Sequence, residues 1–175
     1  MRAVSALGVS RGEDEGSDPV DEGAVRRLSA VPAEKPGEES TRALRVLVVE
    51  DDRSMRLLVS TTLELAGFRV AAAATGQQGL ELATREQPDI ALLDVMLPDM
   101  GGFELAQRLR DVPIVFMSAR SSESDLARGR DVGAIDYVAK PFDPIALPER
   151  LREDLEELDR RGAEAVWALR VGPRE

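Results

Sequence analysis

Five short apolar runs alternate with five helical patterns, and that alternation constrains this chain more than any other feature in it. The runs are RVLVV (45–49), FRVAAA (68–73), DIALLD (89–94), PIVFMS (113–118) and IDYVAK (135–140). They are too short for helices, and most are apolar throughout, as strands buried on both faces of a parallel sheet must be. Met55, Leu58, Thr62 and Leu65 share one helical face, which Gly67 ends. TGQQGLELATREQ reads as a second helix ended by Pro88, and further helices are expected over 101–110 and 122–131. The last helix carries Leu147, Leu151, Leu155 and Leu158, with Gly162 as its terminator and Pro148 placing its start near Leu147. Strand and helix alternating in this way predict an α/β fold, a five-stranded parallel sheet with helices on both faces.

Outside that pattern the chain is less regular. Residues 1–43 mix Gly, Pro, Ser and charge without periodicity, which predicts a disordered tail. The domain is expected over 44–160. The extension at 161–175 is too short for an output domain, so none is expected. Its Trp167, in AEAVWALRV, is expected to pack against the domain rather than anchor a partner. No apolar run approaches the roughly 20 residues that span a bilayer, and no signal-peptide core opens the chain. The expected address is therefore the cytoplasm, with no membrane insertion. A net charge of −10 argues against a basic nucleic-acid surface, so no direct DNA binding is expected.

The chain has no cysteine and no histidine, which excludes thiol nucleophiles, imidazole catalysis and the common zinc sites. Carboxylate, hydroxyl and amine chemistry remains. In open parallel sheets the carboxyl ends of the strands form the binding edge. Here those ends carry Glu50, Asp51, Asp94, Ser118 and Lys140, and lysine occurs otherwise only at position 35. Clustered carboxylates repel one another and suit a hard divalent cation such as magnesium, which completes its shell with phosphate oxygens. A lysine beside them adds charge for a phosphate, and an Asp can serve as the nucleophile. The implied chemistry is phosphoryl transfer onto an Asp, the phosphohistidine donor being another protein. Asp52 reads as a helix cap.

The stretches VLVVEDDRSMR, DIALLDVMLPDMGGFEL, FMSAR and GAIDYVAKPF resemble the receiver domain of bacterial response regulators in two-component signalling, from about Leu44 to Arg160. The resemblance implies a flavodoxin-like, doubly wound (βα)5 fold with strand order 2-1-3-4-5. It implies that Asp94 is the phospho-acceptor and that Glu50, Asp51, Asp94 and the backbone carbonyl of Met96 hold Mg2+. Ser118 matches the switch hydroxyl, Tyr137 the switch aromatic, and Lys140 the lysine, with a cis bond to Pro141. The implied partners are a histidine kinase or phosphotransfer protein and a downstream protein target. The target would be met by the face of the fourth helix, fifth strand and fifth helix.

On that face Asp136 and Arg150 could pair across subunits, but Leu126 and Ala146 stand where dimerising receivers carry charge. A weak or phosphorylation-dependent homodimer is expected. Ile135 and Arg130 also depart there from the family pattern. One alternative is a degenerate receiver, binding partners independently of phosphorylation. Another is an Asp-nucleophile phosphatase or phosphotransferase, which would place a second Asp where Met96 stands. No enzymatic turnover is expected beyond the chain's own phosphorylation and dephosphorylation.

Overall fold

A computed structural model describes residues 42–172; the tail expected at 1–43 lies, but for its last two residues, outside them. The five apolar runs form β1 (Arg45–Val49), β2 (Arg69–Ala73), β3 (Ile90–Asp94), β4 (Ile114–Ser118) and β5 (Asp136–Ala139). All neighbouring strands pair in parallel, in the order β2-β1-β3-β4-β5, as the resemblance implied. Between and after them lie α1 (Arg53–Leu65), α2 (Gly76–Glu86), α3 (Gly102–Arg108), α4 (Glu123–Asp131), α5 (Leu147–Arg161) and α6 (Ala163–Arg170).

Successive strand residues point to opposite faces, and the sheet divides its apolar side chains accordingly. Leu47, Val49, Leu93 and Phe116 pack with Phe103 and Leu105 of α3. Val46, Val48, Leu92 and Val115 pack with Val59 and Leu63 of α1 and with Leu147 and Leu151 of α5. Both layers are apolar and cover the sheet on both sides.

The helix ends follow their local chemistry. Asp52 caps α1 through Met55 N at 2.7 Å, Thr75 caps α2, and Ser122 caps α4. Pro148 sits in the first turn of α5, where a missing N–H costs nothing. The buried face of α1 differs from the expected one. Val59 and Leu63 point inward, whereas Leu58 and Leu65 are exposed. Both readings fit a 3.6-residue period, and which stripe wins depends on where α1 meets the sheet.

The sequence pattern contains no sixth helix, yet α6 is present. Gly162, at φ 84°, ends α5 and opens α6. The helix then packs beside the edge strand β5 and against α5. Its Val166 joins the α1–α5 core, and the adjacent Trp167 joins the core on the other face. The expected packing of Trp167 is therefore found, at 3 % exposure.

Candidate functional site

The carboxyl ends of β1 and β3 lie side by side at the centre of the sheet, so the residues just past them meet. Glu50 and Asp94 are 1 % and 6 % exposed, and Asp51 beside them is open to solvent. The three carboxylates offer oxygens within 4.8 Å of one another. Arg56 fixes the backbone under the acid pair, donating to the carbonyls of Glu50 at 2.6 Å and Asp51 at 3.1 Å. Behind Asp94 the loop returns so closely that a Cβ on Gly102 would lie 2.2 Å from the Asp94 carbonyl oxygen. Of the paired glycines, only Gly102 is needed for that approach.

Lys140 arrives from the end of β5, and its bond to Pro141 is cis. Its Nζ donates to Glu50 Oε2 at 2.7 Å and to Asp94 Oδ2 at 2.6 Å. Asp94 Oδ1 accepts from the Met96 amide at 2.8 Å, which brings residue 96 to the carboxylate. Burial holds Glu50 above the usual carboxylate range; the Lys140 hydrogen bond opposes this, and the charge of Asp94 adds to it. For Lys140, desolvation pulls downward, but the hydrogen bonds and charges of Asp94 and Glu50 outweigh it. The ammonium is thus held above the usual lysine value.

One ammonium against three carboxylates leaves the cluster short of positive charge. Its donors are all oxygens, on a rim with one open side at Asp51. That donor set fits a hard divalent cation such as magnesium.

Ser118 ends β4, wholly buried, and its Oγ accepts from the Arg120 amide at 3.0 Å. Tyr137 lies in β5 with its ring turned into the core beside Phe116, the centroids 5.9 Å apart. Its hydroxyl donates to the carbonyl of Arg120. Burial raises the phenol above its ordinary value, and the Ser118 hydroxyl partly offsets this. Arg120 thus joins the two residues through its backbone alone, which no sequence signal announces. Asp99 was also missed. Its carboxylate accepts from the amides of Gly76 and Gln77 at 2.8 Å each, tying the loop after β3 to the start of α2.

Asp136 and Arg150, which could have paired across subunits, pair within the chain. Arg150 Nε and Nη2 reach Asp136 at 2.5 and 2.8 Å, and Asp136 is fully buried. An acid sealed beneath its own helix is not displayed to a second copy.

Residues 46–152 match the response regulator receiver domain family. The chain belongs to that family. It is 45 % identical over 120 residues to the transcriptional regulatory protein CseB of Streptomyces coelicolor, covering 67 % of this chain and 51 % of that protein. It is 41 % identical over 137 residues to RpaA of Synechocystis, a DNA-binding dual master transcriptional regulator, covering 74 % and 57 %. The receiver domain protein (CheY-like) of Methanospirillum hungatei matches with a TM-score of 0.65 and 30 % identity. That match covers 69 % of this chain and all of the other. The receiver spans about half the length of the transcriptional regulators it matches. These relatives overturn the expectation of partners without DNA, because they are named as transcriptional regulators and RpaA as DNA-binding. A net charge of −10 describes this chain alone, whereas a DNA contact in a relative twice as long need not lie in the shared half. Among the described residues no helix is long and apolar enough to cross a membrane.

Proposed function

We propose that this receiver accepts a phosphoryl group on Asp94 from a histidine kinase or phosphotransfer protein, in a cytoplasmic pathway whose output is transcription. The observation that carries it is the pairing of Asp94 with Lys140 at 2.6 Å inside a cation-deficient cluster of carboxylates. Support for the output comes from relatives such as CseB and RpaA.

An Asp94 carboxylate oxygen attacks the phosphorus of the donor phosphohistidine. The new O–P bond forms as the P–N bond breaks, and the departing imidazole takes up a proton. Lys140 Nζ, already at Asp94 Oδ2, neutralises charge on the incoming group. Glu50, Asp51, Asp94 and the carbonyl of Met96 would hold magnesium, which when bound supplies further positive charge to the phosphoryl oxygens. Ser118 is the hydroxyl that turns to a phosphoryl oxygen, and Tyr137 responds to its movement. Those shifts alter the α4–β5–α5 face.

The test is a phosphate-affinity gel after incubation with a small acyl phosphate and magnesium. One retarded band is expected, absent in Asp94→Asn and on adding chelator. Undiminished labelling of Asp94→Asn would sink the assignment.

A further inference from the structure

The edge strand β2 opens on a residue that the fold alone does not account for. β2 pairs only with β1, and their register sets Arg69 directly beside Arg45. Neighbouring strands lie about 4.8 Å apart, so two guanidiniums leave one face of the sheet side by side, a like-charge pair that costs stability. Arg85 comes from the last turn of α2. All three line one cavity of about 470 Å³ between β2 and the end of α2, where Ala71, Leu82 and Pro88 make an apolar wall. A cavity of that size is in the range that holds small ligands.

The counter-charges fall short. Glu86 is the one acid on the cavity wall, and its ion pair with Arg85 joins two exposed side chains, which holds them weakly. Asp89 is engaged elsewhere, accepting from Arg42 and from the Arg45 amide, while Arg45 Nε stays 3.9 Å away, beyond a hydrogen bond. Arg45 Nε is buried with no hydrogen-bond partner among the described residues, and the Arg69 side chain makes no ion pair there. The carboxyl end of α2 adds a partial charge of about −0.5, too little to cancel the two guanidiniums in excess. The chain as a whole carries −10, so this local positive excess runs against its general surface. The open edge adds donors. The Arg69 amide and the Ala73 carbonyl face β1, so the peptide groups of Val70 and Ala72 face outward, where no strand pairs with them.

We propose that this cavity binds a small organic phosphate, a monoester whose dianionic head bridges Arg45, Arg69 and Arg85 while its organic part lies along Ala71, Leu82 and Pro88. Guanidinium forks meet phosphate oxygens in pairs, and a bridging dianion removes the repulsion between Arg45 and Arg69. The cavity lies at the amino ends of β1 and β2, away from the acid cluster at the carboxyl ends. Binding there is therefore independent of Asp94 as a phosphoryl acceptor.

The test titrates the full chain with inorganic phosphate, adenosine monophosphate, glucose 6-phosphate and adenosine, followed by amide NMR. Chelator keeps divalent cations off the acid cluster, and salt at about 150 mM screens loose attraction. A phosphate ester should shift the amides of 69–72 and 82–87 saturably, and adenosine should not. The ester should bind about fivefold or more tightly than inorganic phosphate, the effect of burying one or two methylene-sized groups. Preference for adenosine monophosphate makes the ligand a nucleotide; preference for glucose 6-phosphate makes it a sugar phosphate. Arg69→Gln and Arg85→Gln should each weaken binding about tenfold, as loss of a charged hydrogen bond does. Without ligand, Arg69→Gln should melt no lower than wild type, because it relieves the pair with Arg45; a lower melt would make Arg69 structural and overturn the site. No saturable shift, shifts confined to Glu50, Asp94 and Lys140, or esters that bind no tighter than inorganic phosphate would also overturn it. So would variants that bind like the wild type. The wild-type titration decides the matter even if a variant fails to fold.

Discussion

Two places among the described residues bury a pair of carboxylates, and they balance the charge differently. At the β1–β3 edge, Glu50 and Asp94 share the ammonium of Lys140, with Asp51 adding a third acid in solvent. Between β5, α5 and α6, Asp136 and Asp154 are each held by a guanidinium of their own, Arg150 and Arg170. The first cluster has one cation for three acids and is open on one side; the second has a cation for each of its two sealed acids. A deficit kept at an open edge is a place for ions from solution. A balanced, sealed network serves the fold. The second is still under tension. Burial first, and then the charge of Asp136, push Asp154 up to about 7, against the pull of Arg170.

The largest expected effect breaks the balanced network. Arg150→Ala leaves Asp136 buried without its guanidinium, which should cost about 3 kcal/mol, the low end of the range because Arg150 is partly exposed. The loss should depend on pH. Asp154 has a folded value raised above the unfolded one, so folding takes up a proton, and stability falls as pH rises toward about 7. Above that, Asp154 is charged and adds to the negative charge that the two arginines must balance. Urea titrations should therefore show a greater loss in mildly alkaline buffer than in mildly acidic buffer. A loss independent of pH would mean that Asp136 and Asp154 do not act as a pair.

A smaller effect is expected at the cation-deficient cluster. Magnesium at about tenfold its dissociation constant should stabilise the fold by about 1.4 kcal/mol, since only the native state assembles the donors. Thermal melts would show a rise that Asp51→Ala removes. Asp51 is exposed, so its truncation should leave the magnesium-free melt almost unchanged. An equal rise in Asp51→Ala would place the cation elsewhere and break the contrast between the clusters.

The contrast also marks what could be read from the sequence. The acid cluster was legible because each of its members closes a strand, and strand ends in a parallel sheet share one edge. The sheet was legible because runs such as RVLVV and PIVFMS are too short for helices and alternate with helical patterns. The second cluster was not. The leucines of α5 suggested a face through Leu147, Leu151, Leu155 and Leu158, yet Asp154 and Glu157 are also buried, on the flank that α6 meets. Gly162 reads as the end of a helix, and eight residues carry too little periodicity to reveal another beyond it. Asp136 and Arg150 could be recognised as complementary, but fourteen residues of separation do not decide between one chain and two. The Arg120 joint was invisible because a backbone amide and carbonyl belong to every residue.

The smallest expected effect tests whether the two regions are separable. The nine residues of α4 bury only Gly129, so its helical form relies on its ends more than on an apolar face. Ser122 Oγ accepts from the Asp125 amide at 3.2 Å, and Glu123 and Asp125 lie in the first turn, where negative charge suits the helix dipole. Ser122→Ala removes the cap and should cost about 1 kcal/mol in urea titrations. The contacts of the acid cluster come from the ends of β1, β3 and β5, so the yield of labelling on Asp94 should not change. Trp167 leans on Gly129, in the second turn, so its quenching should rise slightly as the first turn frays. A fall in labelling without a fall in stability would tie α4 directly to the acid cluster. The two regions would then have to be treated as one.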